Sequence, residues 1–212
     1  MATDISIING ALTLLGDDPI EDWPILEDED DEVSNLVRYS YPRVRDRLIS
    51  GHPWSWATER VRLQREAMDE NETSVYRYKY AVPGGRNKYL GSLYTDEKSD
   101  YILRDGWTLR GNKVYTDSPD IWALVQRTDL SVSIYPDQFV SALVYALAAD
   151  MSLNLTEDID TVQRMRDAAA EFLSKAVSDD AQSIPTQYLD TSFITRARAT
   201  GYGGTGPVGG YF

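Results

Sequence analysis

The only histidine of the chain, His52, stands in Gly51-His52-Pro53-Trp54, and Ser55 follows directly. With carboxylates plentiful, these two residues raise a Ser-His-Asp constellation, in which the imidazole takes the serine proton and a carboxylate orients the ring. The G-x-S-x-G elbow that often presents such a serine is absent. A histidine in a turn, packed or exposed, is the reading the sequence favours, and no catalytic residue is assigned.

Other chemistries meet similar objections. Abundant Asp and Glu could place two carboxylates at glycosidase separation, and Trp54, Trp56, Trp107 and Trp122 could stack on sugars. In an acidic protein such carboxylate pairs arise by chance, and tryptophans on strands usually fill cores. A glycan-binding or glycan-hydrolysing protein is therefore the alternative rather than the leading reading.

The run Glu27-Asp28-Glu29-Asp30-Asp31-Glu32 lacks the alternating ligands and central glycine of a calcium loop, so it reads as a solvated linker entering a helix. No metal site follows from it. Gly84-Gly85 lacks the Lys-Ser/Thr of a phosphate loop, which leaves no nucleotide or other cofactor to expect. In Tyr76-Arg77-Tyr78-Lys79-Tyr80 the alternation puts three rings on one face and two cations on the other. A single-strand nucleic-acid platform wants rings and charges together, so buried rings with solvent-facing cations are expected.

Composition narrows the class further. The chain has 212 residues, no cysteine and a net charge of -13. It is long enough for one core, or one core with a smaller inserted lobe. It offers no thiolate chemistry and fits synthesis in a reducing cytoplasm. Neither a secretory start nor an uninterrupted apolar run of about 18 residues is present, so no membrane partner is expected. The acidic balance disfavours nucleic-acid binding, which depends on cations neutralising phosphates. Charge is uneven, however. Asp17 to Glu32 holds ten acids and no base, whereas Thr191 to Phe212 holds Arg196 and Arg198 and no acid. That polarity suits head-to-tail association.

The periodicities supply the scaffold. Ile5, Ile8, Leu12 and Leu15 predict a first helix, capped by Asp4 and stopped at Gly16. Val33, Val37, Tyr41, Val44 and Leu48 predict a second, bent or broken at Pro42 and ending by Gly51. Residues 54 to 134 read as strands: Trp54 to Ala57, Val61 to Leu63, Val75 to Tyr80, a hairpin over Tyr101 to Leu109, Lys113 to Thr116 and Ile121 to Arg127. From Pro136 a nearly all-apolar helix begins, bearing Phe139, Leu143 and Leu147, and a fourth runs from about Glu157 to Ser178. The fold class expected is α+β: a mainly helical antiparallel bundle (1–53 and 135–180), an inserted antiparallel β lobe (54–134) and an extended glycine-rich C-terminal tail (181–212).

An ordered series of segments also carries a family resemblance. Ile8 to Ile20, Tyr41 to Ile49 and His52 to Ala57 come first, followed by Tyr78 to Pro83, Tyr101 to Gly106, Leu124 to Arg127 and Pro136 to Phe139. Together they resemble the head-to-tail adaptors of short-tailed bacteriophages called tail tubular protein A. The resemblance implies a neck subunit without enzymatic activity, forming a ring, in that family a dodecamer, between portal and tail nozzle in the virion. Genomic DNA would pass through the lumen without specific binding, helped by acidic walls. The terminal segment departs from the family pattern. Arg196 and Arg198 for charge, with Tyr202, Tyr211 and Phe212 for burial, are the residues expected to engage the portal or a neighbouring subunit.

Overall fold

The computed structural model describes residues 2–22, 32–68, 73–84, 87–98, 102–156 and 158–183. The chain is α+β, with two helices before a set of short antiparallel strands and two after it.

Helix α1 (Asp4–Leu15) opens one residue earlier than Asp4 as cap would have it. Thr3 is the N-cap, in a reciprocal capping box with Ser6, and Asp4 instead accepts a hydrogen bond from the Tyr41 hydroxyl. Gly16 ends the helix in the left-handed conformation, at φ 78°, where a side chain would be strained. Asn9 then clamps the following loop by bonding both the N–H and the carbonyl of Ile20, each at 2.9 Å. Helix α2 (Glu32–Gly51) continues through Pro42 as one helix rather than two.

Helix α3 (Asp137–Thr156) is the axis of the bundle and packs against α1, α2 and α4 (Ile159–Ser183). Helices α3 and α4 pack antiparallel, with Tyr145 stacked on Phe172 at 5.3 Å. Trp54, just beyond α2, meets Phe139, while Arg43 meets Asp150, so α2 also runs opposite to α3. Helix α3 has the length and composition of a membrane span, but it buries Phe139, Leu143, Leu147 and Met151 among the other helices. That is why its sequence is apolar nearly all round. Helix α1 comes close enough at Gly10 that an added Cβ would lie 3.3 Å from a Val144 methyl.

Two sheets form the lobe. One has the order β1 (Thr58–Arg62), β7 (Trp122–Arg127), β4 (Asn87–Tyr94); the other runs β2 (Gln64–Glu66), β3 (Tyr78–Ala81), β6 (Lys113–Thr116), β5 (Trp107–Arg110). All pairings are antiparallel, and between the sheets lie Leu63, Tyr80, Leu93, Val114, Ile121, Ala123 and Val125.

Several strand expectations change. Ser55–Ala57 is a 3-10 turn rather than a strand, because the Trp54 and Trp56 rings both pack into the aromatic cluster at the base of the bundle. The Tyr101 to Leu109 hairpin does not form. Ile102 bridges to Tyr94 and Leu103 donates to Leu93, while Trp107 starts β5 and pairs with β6, so the two arms join different sheets. Strand β3 begins at Tyr78, and Lys79 is buried rather than solvent-facing, since the face it shares with Tyr115 and Glu66 is itself covered. Strands β2 and β4 add to those the sequence suggested. Helix α4 extends past Ser178 to Ser183, so the boundary expected at 180/181 falls within its last turn. Arg196, Arg198, Tyr202, Tyr211 and Phe212, with the rest of 184–212, lie outside the described residues, as do residues 23–31 of the acidic run.

Candidate partner-binding surface and the junction beneath it

The chain crosses between bundle and lobe twice, leaving at 52–57 and returning at 132–139, and both crossings meet in one aromatic cluster. His52 stands edge-on to Trp54 at 4.6 Å; Trp54 and Trp56 each meet Phe139, at 5.1 and 5.0 Å; Tyr135 touches Trp56 and Phe139, both at 5.2 Å. Edge-to-face contacts of this kind add to the apolar burial. Trp54 is fully buried and donates its indole N–H to the Leu48 carbonyl at 3.2 Å. Burial pushes the Tyr135 hydroxyl up to about 12, and burial together with the Asp4 carboxylate pushes Tyr41 up further.

From the lobe side, Gln126 on β7 completes the junction. Its amide is buried and donates to the carbonyls of Ile49, at 2.7 Å, and His52. The Ile49 carbonyl at the end of α2 is thereby paired, and that of His52 gains a second donor beside the Trp54 N–H. From the bundle side, α4 contributes Asp180, whose side chain is 3% exposed. Its carboxylate accepts from the Ser55 N–H at 3.1 and 3.2 Å and from the Ser55 hydroxyl at 2.6 Å, and the His52 Nε2 lies 3.3 Å away.

The serine, histidine and acid that the sequence raised as a nucleophilic set do meet, but in the wrong order. A nucleophilic serine must hand its proton to the imidazole, with the carboxylate behind the ring. Here Asp180 stands between Ser55 and His52 and takes the serine proton donor for itself, so the arrangement ties α4 to the 3-10 turn. The signal that could have found Asp180 is its register, since Leu173, Ala176, Val177 and Asp180 share one face of α4.

The tryptophans proposed for sugar stacking are otherwise engaged. Trp54 and Trp56 belong to the cluster, Trp107 packs on the lobe core and donates to the Leu103 carbonyl at 2.9 Å, and Trp122 lies under Arg62. No group of three Asp, Glu or His residues suited to a metal ion occurs among the described residues.

Several large apolar side chains are exposed on the described surface. Tyr39 on α2 is 63% exposed, and Leu153 and Ile159 at the α3–α4 turn are 56% and 74% exposed. Apolar side chains exposed singly in this way are ordinary on a protein surface. No family model matches the chain, and no curated protein matches it.

Proposed function

We propose that this protein is a structural head-to-tail adaptor of a short-tailed phage, a ring-forming neck subunit between portal and tail nozzle that continues the DNA channel. The observation that carries the reading is the single junction at Trp54, Trp56, Tyr135 and Phe139, by which a bundle drawn from both ends of the sequence bears an inserted β lobe. That is the architecture the ordered sequence resemblance implies. The grouping of Ser55, His52 and Asp180 as a structural tie fits a subunit that works by contact and not by turnover.

In this reading the acidic balance has a physical use. A lumen carrying net negative charge repels the phosphate backbone at short range and leaves the polyanion free to slide. The terminal segment, with Arg196, Arg198, Tyr202, Tyr211 and Phe212, supplies the attachment to portal or neighbour.

Negative-stain microscopy of the purified protein with and without portal tests the proposal. Rings seated on the portal are expected; a monomer that leaves the portal bare ends it. Removing residues from Thr191 onward is expected to abolish portal binding, and unchanged affinity would refute the role given to the terminus.

A further inference from the structure

Where β1 passes into β2, the surface opens into a pocket of about 700 Å³, within the usual size of small-molecule sites. Two of its lining residues, Leu63 and Tyr80, are buried. Both are tied to the connection between β6 and β7. The Leu63 N–H donates to the Ile121 carbonyl at 3.0 Å, and the Tyr80 hydroxyl donates to the carbonyls of Ser118 and Pro119, at 2.9 and 2.6 Å. The base of the pocket is therefore formed before anything enters it, which lowers the cost of binding.

Four polar side chains line the rest: Arg62, Gln64, Arg65 and Asp120. Arg62 and Asp120 are paired with each other at the surface, 64% and 48% exposed. Arg65 lies over the Tyr78 ring at 4.1 Å, and neither it nor Gln64 has a hydrogen bond or ion pair among the described residues.

The Arg62–Asp120 pair decides what the pocket can take. An anion must compete with the Asp120 carboxylate for Arg62, and a cation must compete with Arg62 for the carboxylate. A hydroxyl competes with neither, because it accepts from a guanidinium N–H and donates to a carboxylate oxygen. A guanidinium has more N–H groups, and a carboxylate more acceptor positions, than one ion pair uses. The intact pair thus keeps donors and acceptors side by side, where neighbouring hydroxyls of one ring can meet both. Gln64 and Arg65 extend the same mixed rim, and Pro119, exposed at its edge, gives ring C–H groups an apolar surface.

We propose that this pocket binds a neutral saccharide, with Arg62 and Asp120 taking a vicinal pair of hydroxyls and Gln64 and Arg65 holding neighbouring positions. Asp120 is the one carboxylate among the lining residues, so the role is binding and not glycoside cleavage, which needs two. All the residues belong to the lobe and none to the junction, so the site holds or fails independently of the adaptor reading.

NMR of isotope-labelled full-length protein, titrated separately with maltotriose, cellotriose and mannotriose, tests the site. At least one is expected to give saturable amide shifts centred on residues 62–65 and 118–121, little changed by added salt because the ligand is neutral. D120A and Q64A are each expected to weaken that binding at least about fivefold, while R43E on α2 binds as the parent does. The substituted side chains lie at the surface, and the same spectra report whether each variant is folded.

Inorganic phosphate is the contrasting probe. D120A releases Arg62 from its partner, so it weakens a saccharide and strengthens an anion. Saturable trisaccharide shifts that D120A reduces support the proposal. Absence of such shifts with all three sugars overturns it, as does binding that D120A and Q64A leave unchanged, or a site filled by phosphate alone and more tightly in D120A.

Discussion

The bundle and the β lobe achieve order by different means. The bundle draws on both ends of the sequence and centres on α3, where Phe139, Leu143, Leu147 and Met151 are completely buried. The lobe is one continuous insertion of short strands with a core cluster of seven buried residues among those described, and arginines lie over rings at its surface, as at Arg60–Tyr94 and Arg65–Tyr78. Apolar volume dominates the first region, and pairwise surface contacts assist the second. The larger apolar core predicts greater resistance to unfolding in the bundle than in the lobe.

The comparison breaks most readily at the junction. Trp54→Ala removes the largest fully buried side chain and is expected to cost about 3–5 kcal/mol, read as a lowered denaturant midpoint with altered tryptophan emission. Leu93→Ala, in the lobe core, is expected to cost about 3 kcal/mol. If the lobe is the softer unit, the loss registers first as earlier proteolysis within 58–127, with α3 amides still protected. Simultaneous loss of protection in both regions would mean one cooperative unit.

Gln126→Ala removes the side-chain donor to the Ile49 carbonyl, while that of His52 keeps its bond from the Trp54 N–H, and is expected to cost about 2 kcal/mol. Its signature is faster hydrogen exchange at the end of α2 and in β7 together. Alkaline titration sharpens the contrast further. Tyr41 and Tyr135 are raised above the ordinary tyrosine value, so the stability they contribute is complete below about pH 10 and is lost as pH rises toward their folded values. The bundle is expected to loosen in that window, followed by tyrosinate absorbance, and Tyr41→Phe should blunt the effect. Smallest of all, Arg43→Ala breaks an ion pair whose arginine is 66% exposed and is expected to change stability by less than about 1 kcal/mol.

Much of this architecture was legible in residue spacing. The period of Ile8 and Leu12, the stop at Gly16 and the all-round apolar character of α3 each follow from one face or several faces needing burial. What spacing concealed has physical causes as well. Trp54-Ser55-Trp56-Ala57 alternates like a strand, but large rings packing together on the Phe139 cluster turn it into a 3-10 segment. Asp105-Gly106 looks like a hairpin turn, yet its arms are claimed by different sheets. For the site, His52 and Ser55 were visible as a pair, but Asp180 was hidden because a carboxylate on the buried face of a helix breaks the apolar rule by which such faces are recognised.

The tie at Asp180 has one further consequence. The last described turn of α4 ends at Ser183, three residues beyond this anchor. Tension applied there enters the molecule at the knot where both lobes are fastened, and is borne across Ser55 and Trp54 rather than by peeling α4 from its free end.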